Sequence, residues 1–358
     1  MTDALKPGAT IGILGGGQLG RMLSVAASRL GFATHIYEPG ANPPAGQVAD
    51  RVTTAGYDDA EALTAFAASV DVITYEFENI PTAALDILES QRPIRPGREA
   101  LRISQDRLTE KNFLQGLGLT TAPFADITDQ ASLDAALADI GAPAILKTRR
   151  FGYDGKGQAR IKTPDDAPQA LADMAGAPAL LEGFIRFSHE VSVIAARGLQ
   201  GDVACYDPSE NVHTDGILAT TTVPAKLSAS QRMDAVLLAA RILTELDYIG
   251  VLGVELFVTA QGLVVNEIAP RVHNSGHWTQ NGCSVDQFEQ HIRAVVGWPL
   301  GDGQRHSDVV MENLIGADMD RLPDLAKEVD CAIHLYGKAD TKPGRKMGHV
   351  NRIVRNKA

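Results

Sequence analysis

Two glutamates, Glu255 and Glu267, lie within the apolar, β-branched stretch from Val254 to Ile268. The stretch reads as two short runs joined by a turn, the pattern of a β-hairpin. A three-residue loop, Ala260 to Gly262, with Gly262 in the left-handed conformation, pairs Thr259 with Leu263 and sets Glu255 opposite Glu267. Like charges facing each other across a ladder cost on the order of 0.2–1 kcal/mol, and a divalent cation between them turns that repulsion into attraction. Asn266 adds a neutral oxygen beside the second carboxylate. Mg²⁺ accepts one or two protein carboxylates and fills its octahedron with water and phosphate oxygens, so the chemistry predicted here is directed at a phosphate. Two solvated acids on an outer strand explain the pair equally well when it is taken alone. The next segment of the chain breaks the tie. Arg271-Val272-His273-Asn274-Ser275-Gly276-His277-Trp278 is polar and cationic, and it emerges directly from the strand carrying Glu267.

Other residues capable of chemistry are spread along the chain. Gly15, Gly17 and Gly20 form a G-x-G-x-x-G loop after a short strand, and Glu38 stands where a ribose-binding acid would lie. That loop offers backbone amides to an anion and keeps a nicotinamide or flavin enzyme open as an alternative. Gln18 and Arg21 are unusual for dinucleotide binding and suit a substrate phosphate or ring. A second glycine loop runs from Gly152 to Gly157, behind the strand that ends in Lys147. It is not a Walker A loop, and the chain contains none, which argues against a P-loop NTPase. A glycine flap carrying Lys156, above a strand lysine, can still hold a nucleoside triphosphate, although an ordinary hairpin tip fits as well. Glu182 and Glu190 flank Gly183 and Phe184; surface acids are the simpler reading of both. His213 and the basic turn with Lys338, Lys342, Arg345 and Lys346 are equally ordinary in isolation.

The elements that must position these groups are set by periodicity and punctuation. A strand at 11–14, a helix with Leu19, Met22, Leu23, Ala26, Ala27 and Leu30 on one face, and a strand at 34–37 make a parallel α/β unit. Asp71 to Phe77 continues it, with Glu76, Glu78 and Asn79 at the ligand-gathering carboxyl edge. The run Arg92 to Gly97 marks a domain boundary. Helices are predicted from about Gln105 to Gln115, from Ala131 to Ile140, from Ser228 to about Leu246 with Gln231 completing a capping box, and after Ser284 to Gly297. Strands are expected at 144–147, around 180–182 and at 190–196. The last sixty residues read as short strands and the basic turn.

Bulk properties narrow the class. A chain of 358 residues exceeds one ordinary core. A net charge of −11 argues against non-specific binding to nucleic acid or an anionic membrane. Cys205, Cys283 and Cys331 match no metal or redox spacing and point to free thiols in a reducing compartment. No window has the apolar length of a membrane helix. A cytoplasmic protein is expected.

Taken together the motifs resemble the ATP-grasp superfamily, and within it the biotin-independent carboxylases of purine synthesis, the carboxyaminoimidazole ribonucleotide synthases. The residues that carry the resemblance are 15–21, 152–158, 213–217, 266–279 and 343–346, and they span almost the whole chain. The resemblance implies a mixed α/β and α+β architecture. Residues 1–104 would form a Rossmann-like, pre-ATP-grasp domain that binds substrate. Residues 105–300 would form the ATP-grasp domain, with a lid at about 120–185, and residues 301–358 a small β-rich domain. It also implies carboxylation of 5-aminoimidazole ribonucleotide with ATP and bicarbonate, through carboxyphosphate, by a homodimer needing Mg²⁺ but neither biotin nor NAD.

Carried over residue by residue, Glu255 and Glu267 hold Mg²⁺. Arg107, Lys147, Gly152, Tyr153, Asp154, Gly155, Lys156, Gly157, Gln158, His213, Asn266 and Glu267 line the ATP. Glu182, Gly183, Phe184 and Ile185 meet adenine, and Glu190 meets the ribose. Gln18, Leu19, Glu76, Tyr153, Arg271, His273, Asn274, Ser275, Lys338 and Arg345 face the ribonucleotide or bicarbonate. Arg271, His273 and Lys147 are the expected catalytic groups, with His273 accepting the amine's proton. Another ATP-grasp ligase, such as a formate-dependent ribonucleotide transformylase, and a non-catalytic nucleotide-sensing module remain the alternatives beside the oxidoreductase.

Overall fold

The computed structural model describes residues 4–152 and 157–354. Tyr153, Asp154, Gly155 and Lys156 of the flap lie outside the described residues. The chain opens with β1 (Thr10–Leu14), β2 (Ala33–Tyr37), β3 (Arg51–Thr53) and β4 (Val72–Tyr75), a parallel sheet in the order β3-β2-β1-β4. The order reverses between β1 and its neighbours, so the carboxyl ends of β1, β2 and β4 deliver Gly15, Glu38 and Glu76 to one edge. The helix at Gln18–Arg29 buries Leu19, Met22, Leu23, Ala26 and Ala27, as their spacing predicts. That face does not pack within the N-terminal sheet alone. Its core also contains Tyr206, Trp278, Phe288 and Tyr336, so the N-terminal unit and the distal half of the chain share one apolar interior.

A second sheet, antiparallel, is made by β5 (Phe124–Ile127), β6 (Ala144–Thr148), β7 (Gln158–Ile161) and β8 (Ala179–Gly183), in the order β5-β8-β6-β7. Glu182 pairs with Ile145 across β8 and β6. Lys147 stands two residues beyond Ile145, on the same face as Glu182 because strand side chains alternate.

The third sheet has nine strands among the described residues: β9 (His189–Arg197), β10 (Val203–Cys205), β11 (Ser209–Thr214), β12 (Ile217–Val223), β13 (Gly250–Thr259), β14 (Gly262–Ala269), β15 (Asp308–Ile315), β16 (Cys331–Leu335) and β17 (Lys346–Val354). Its order is β14-β13-β9-β11-β12-β15-β17-β16, with β10 added on β9. The C-terminal strands are therefore not a set of short pieces: β15 and β17 run eight and nine residues and continue the sheet that carries Glu255.

The helices at Arg107–Gly116, Ala229–Glu245 and Gln287–Val296 start on side-chain caps, and one of these caps differs from expectation. The helix at Ala229–Glu245 has the Ser228–Gln231 capping box in both directions. The helix expected from about Gln105 to Gln115 runs Arg107–Gly116, started by Asp106, which accepts from the amides of Leu108 and Thr109; a further helix that periodicity does not predict, Arg98–Ser104, precedes it. The helix ending at Gly297 is capped by Asp286, not Ser284. Its carboxylate accepts from the amides of Phe288 and Glu289, and a carboxylate also complements the helix dipole.

Candidate active site

Glu255 and Glu267 do face each other across β13 and β14, by a route that residue spacing alone does not suggest. The turn has two residues, so Thr259 pairs with Gly262, and Gly262 has φ 129, outside the left-handed helical region. On that register alone Glu255 would meet Asn266. A β-bulge between Glu255 and Leu256 skips Asn266 and restores the carboxylate pair. The bulge leaves the Asn266 side-chain amide 3.5 Å from Glu255 Oε2 and its carbonyl accepting from Lys111 Nζ at 2.8 Å. Burial and the facing Glu267 push Glu255 up to about 7. Glu267, half-buried with its side chain 40 % exposed, moves the opposite way, because Arg107 and Lys147 outweigh its desolvation and hold it ionised; Arg107 Nη1 lies 3.0 Å from its Oε2. Among the described residues no group of three or more His, Cys, Asp or Glu side chains could hold a metal by themselves. Two carboxylates and an amide oxygen are hard donors in a number that fits Mg²⁺ with the remaining positions left to phosphate and water.

Beneath the pair lies a buried charge network. Lys147 Nζ donates to Glu182 Oε2 at 2.8 Å, and Lys111 Nζ lies 3.6 Å from Glu182 Oε1 with its side chain 2 % exposed. Burial alone would raise the Glu182 carboxyl; Lys147 and Lys111 outweigh it and hold the group below the usual range. Glu182 is thus more than an edge acid, because it neutralises two lysines. Glu182→Ala would strand both ammonium groups in the interior. The expected loss is about 3–5 kcal/mol of stability, read by chemical denaturation, and a loss below about 1 kcal/mol would show the network to be solvated.

The nucleotide-lining candidates gather around this network. Arg107 Nη2 reaches the Gly152 carbonyl at 3.4 Å. Gly157, at φ 68, leaves its carbonyl to accept from Thr148 N, and a Cβ there would sit 2.6 Å from Thr148 Oγ1. Gln158 pairs with Lys147. Glu190 Oε2 lies 3.1 Å from His213 Nδ1; burial disfavours the imidazolium, but the Glu190 carboxylate outweighs it and raises the pKa. Gly183 N and Phe184 N donate to the carbonyls of Pro123 and Pro143, and Phe184 carries Arg160 over its ring. Ile185 comes next, at the partly open end of the same segment.

Beyond Glu267 the chain delivers Arg271, whose Nε donates to Glu78 Oε2 at 2.7 Å. His273 Nδ1 is 2.8 Å from Ser275 Oγ, and its Nε2 is 3.4 Å from Glu255 Oε1. Burial and the neighbouring Arg271 depress His273 to about 3, so the imidazole is neutral and a weak base at physiological pH. Ser275 also receives a hydrogen bond from Ser192 at 2.7 Å. Asn274 and Asn313 exchange amide hydrogen bonds at 3.0 and 2.8 Å, which locks the turn rather than leaving Asn274 open to the cleft.

The first glycine loop is already occupied by protein. Glu76 accepts from the amides of Gly17 and Gly20, and Glu38 accepts from Gly16 at 2.8 Å. A Cβ on Gly17 would lie 2.7 Å from Glu76 Oε1, so the glycine is needed for a carboxylate of the chain itself. A dinucleotide pyrophosphate would meet two carboxylates at the helix N-terminus, which removes the main support for the oxidoreductase alternative. Lys338 Nζ donates to Gln18 Oε1 at 2.6 Å, across 320 positions of sequence. Arg345 lines a cavity of about 550 Å³ together with Gly16, Glu38, Tyr57, Glu76 and Phe77. Leu19 differs from expectation: its side chain is 9 % exposed and belongs to the apolar core. Glu78, expected only as part of the ligand-gathering strand edge, and Lys111 and Gln105, to which the sequence alone assigns no role, are each buried or half-buried against the site.

Comparison with known proteins agrees with this geometry. A model of the ribonucleotide synthetase preATP-grasp domain matches residues 8–105, one of the ATP-grasp domain residues 112–288, and one of the phosphoribosylaminoimidazole carboxylase C-terminal domain residues 309–358. The N5-carboxyaminoimidazole ribonucleotide synthase of Brucella melitensis is 56% identical over 353 residues, 98% of each chain. The ADP complex of an N5-carboxyaminoimidazole ribonucleotide synthetase superposes with a TM-score of 0.96 at 41% identity, covering 99% of this chain and 95% of that one. The enzyme of Aspergillus clavatus, solved with ADP and 5-aminoimidazole ribonucleotide, superposes with a TM-score of 0.91 at 32% identity, covering 97% and 94%. The chain belongs to the N5-carboxyaminoimidazole ribonucleotide synthase family of ATP-grasp ligases.

Proposed function

We propose that the residues gathered above divide between them the three tasks of an ATP-dependent carboxylation. The chain is a ligase of purine synthesis that joins bicarbonate to 5-aminoimidazole ribonucleotide at the expense of ATP. The observation that carries the assignment of roles is the continuity of one strand: Glu267 faces Glu255, and four residues later the same backbone delivers Arg271. Nucleotide and acceptor sites are thereby held in one register.

Bicarbonate is a poor electrophile, so one of its oxygens first attacks the γ-phosphorus of ATP, giving carboxyphosphate and ADP. Arg271 holds the anion in line, which is catalysis by positioning. Lys147 neutralises charge that spreads over the transferred phosphoryl. Glu255 and Glu267 would hold Mg²⁺, which when bound supplies Lewis-acid neutralisation of phosphoryl oxygens. Arg107 orients Glu267, and Asn266 lies beside the pair. The 152–158 flap covers the phosphates, 182–185 meet adenine, and Glu190 with His213 takes the ribose. The substrate amine then attacks the activated carboxyl carbon, and the phosphate that leaves carries away the amine's proton. Gln18, Glu76, Lys338 and Arg345 hold the ribonucleotide. His273, neutral by its surroundings, acts with Ser275 as a hydrogen-bonding pair rather than as the store for the amine's proton.

Residues 1–104, 105–300 and 301–358 serve as the substrate, ATP-grasp and C-terminal parts, with the lid at about 120–185. Among the described residues no helix is long and apolar enough to cross a membrane. The three free thiols support a reducing, cytoplasmic setting, and family membership supports a homodimer. ADP release tests the proposal. It should require bicarbonate and aminoimidazole ribonucleotide together; release that ignores both would sink the assignment, and release that responds to formate instead would favour a transformylase.

A further inference from the structure

We infer that Glu78 is a positioning residue for carboxylation, which fixes the Arg271 guanidinium so that one defined edge of it meets bicarbonate. The inference rests on the reading of Arg271 as the bicarbonate holder. A guanidinium has five N–H donors in a rigid fork. Glu78 takes the Nε side of that fork, with Nε to Oε2 at 2.7 Å and Nη2 to Oε1 at 3.4 Å. The Val272 carbonyl takes one donor of Nη1 at 3.3 Å. Among the described residues these bonds leave one N–H on Nη1 and one on Nη2 for an anion, a number that matches the two oxygens of a carboxyl-like group. The arginine side chain keeps 20 % of its surface exposed, so that edge is not sealed.

Glu78 is itself held. It lies just past β4 in the N-terminal unit, while Arg271 lies just past β14, 193 positions away. Gln105 Nε2 donates to the carbonyls of Glu78 and Ile80 at 2.7 and 3.0 Å. Gln105 Oε1 in turn accepts from Arg150 Nη2 at 2.8 Å, at the root of the flap. Burial would raise the Glu78 carboxyl, but Arg271 outweighs it and keeps the group ionised. The pair has a second consequence. With its charge partly cancelled, Arg271 attracts an anion weakly and orients it strictly, which favours the transition state over mere occupancy.

Glu78→Gln keeps the shape and removes the charge. Turnover should fall on the order of 10²-fold, while the KM for bicarbonate does not rise and the KM for ATP stays put. ADP released per carboxylated product should climb above one, because misaligned activated carboxyl is lost to water. Glu78→Asp should return part of the lost kcat. A staple that only joins two parts of the fold would lower thermal stability and leave the ADP-to-product ratio at one, and that result overturns the inference. Arg271→Lys run in parallel separates the two levels. If it is impaired and Glu78→Gln behaves as the parent, Glu78 has no positioning role; if neither is impaired, the bicarbonate reading of Arg271 falls as well. Should Glu78→Gln fail to fold, Glu78→Asp decides: reduced kcat with a ratio above one supports the role, and parental kinetics reject it.

Discussion

Glu255→Gln and Glu267→Gln should each lower ATP-dependent turnover on the order of 10²–10³-fold, and the two should part company in stability. Each removes one hard donor from a pair whose facing carboxylates have a clear reason to coexist only with a cation between them. Glu267 is also the partner of Arg107 at 3.0 Å, so its loss leaves that arginine, 20 % exposed, without its carboxylate. Among the described residues Glu255 has no Lys or Arg salt bridge, and the favourable influence of His213 does not outweigh its burial and the facing Glu267. Its ordinary pKa of 4.5 rises to about 7, so its protonated form is preferred in the fold. The stability this contributes is complete below about 4.5 and fades as pH rises through about 7. Without added metal, Glu255→Gln should therefore be more stable than the parent above neutrality and equal to it in acid. Glu267 has the opposite sign, since its pKa is depressed to about 2. Its contribution is present above 4.5 and lost as pH falls toward 2. Thermal melts against pH without Mg²⁺ read both signs. An inactive Glu255→Gln that melts higher at pH 8 is the outcome expected of a metal site; parental activity in both variants would make the hairpin only a hairpin.

Arg271→Lys should be nearly as damaging, with kcat reduced on the order of 10²–10³-fold and no recovery at saturating bicarbonate. Lysine retains the charge but not the planar fork. It cannot give two donors to Glu78 and still present two more to an anion. The defect should sit in kcat because the site loses alignment more than attraction, and carboxyphosphate formation depends on in-line approach. A variant whose kcat is intact and whose KM for bicarbonate alone is raised would show that Arg271 contributes only charge.

Much of this site is visible in one dimension because its central residues lie close together in sequence. Glu255, the bulged Asn266, Glu267 and the run through Ser275 fall within 21 consecutive residues, and alternation of apolar residues places both strands. Even there a three-residue loop predicts the correct pairing of Glu255 with Glu267 for the wrong reason, because the chain uses a two-residue turn and a bulge. The two differences cancel because each shifts the register by one. A bulge has no compositional mark at Asn266, and only the tertiary bond from Lys111 to its carbonyl shows what stabilises it.

Sequence conceals the identity of partners far apart in the chain. Glu78 precedes Arg271 by 193 positions and Gln18 precedes Lys338 by 320. Lys111 falls inside the helix expected at 105–115 with nothing to mark it, yet it is 2 % exposed, held by Glu182 and the Asn266 carbonyl. Glu76 reads as a ligand-facing acid at a strand end, and sequence gives no sign that each of its oxygens also accepts an amide of the glycine loop, Gly17 and Gly20. The glycine loop has two readings in sequence; the carboxylate seated in it decides between them. Leu19 joins the substrate residues only through the motif that contains it, and its place in the helical apolar stripe, evident from spacing, is the better guide.

If ATP activates bicarbonate by phosphorylating it in this cleft, the attacking bicarbonate oxygen stays with phosphorus when the amine displaces phosphate. Turnover with [¹⁸O]bicarbonate therefore tests the central claim most directly. One ¹⁸O atom is expected in the inorganic phosphate for each carboxylated ribonucleotide formed. Phosphate free of the label, with product still made, would contradict it.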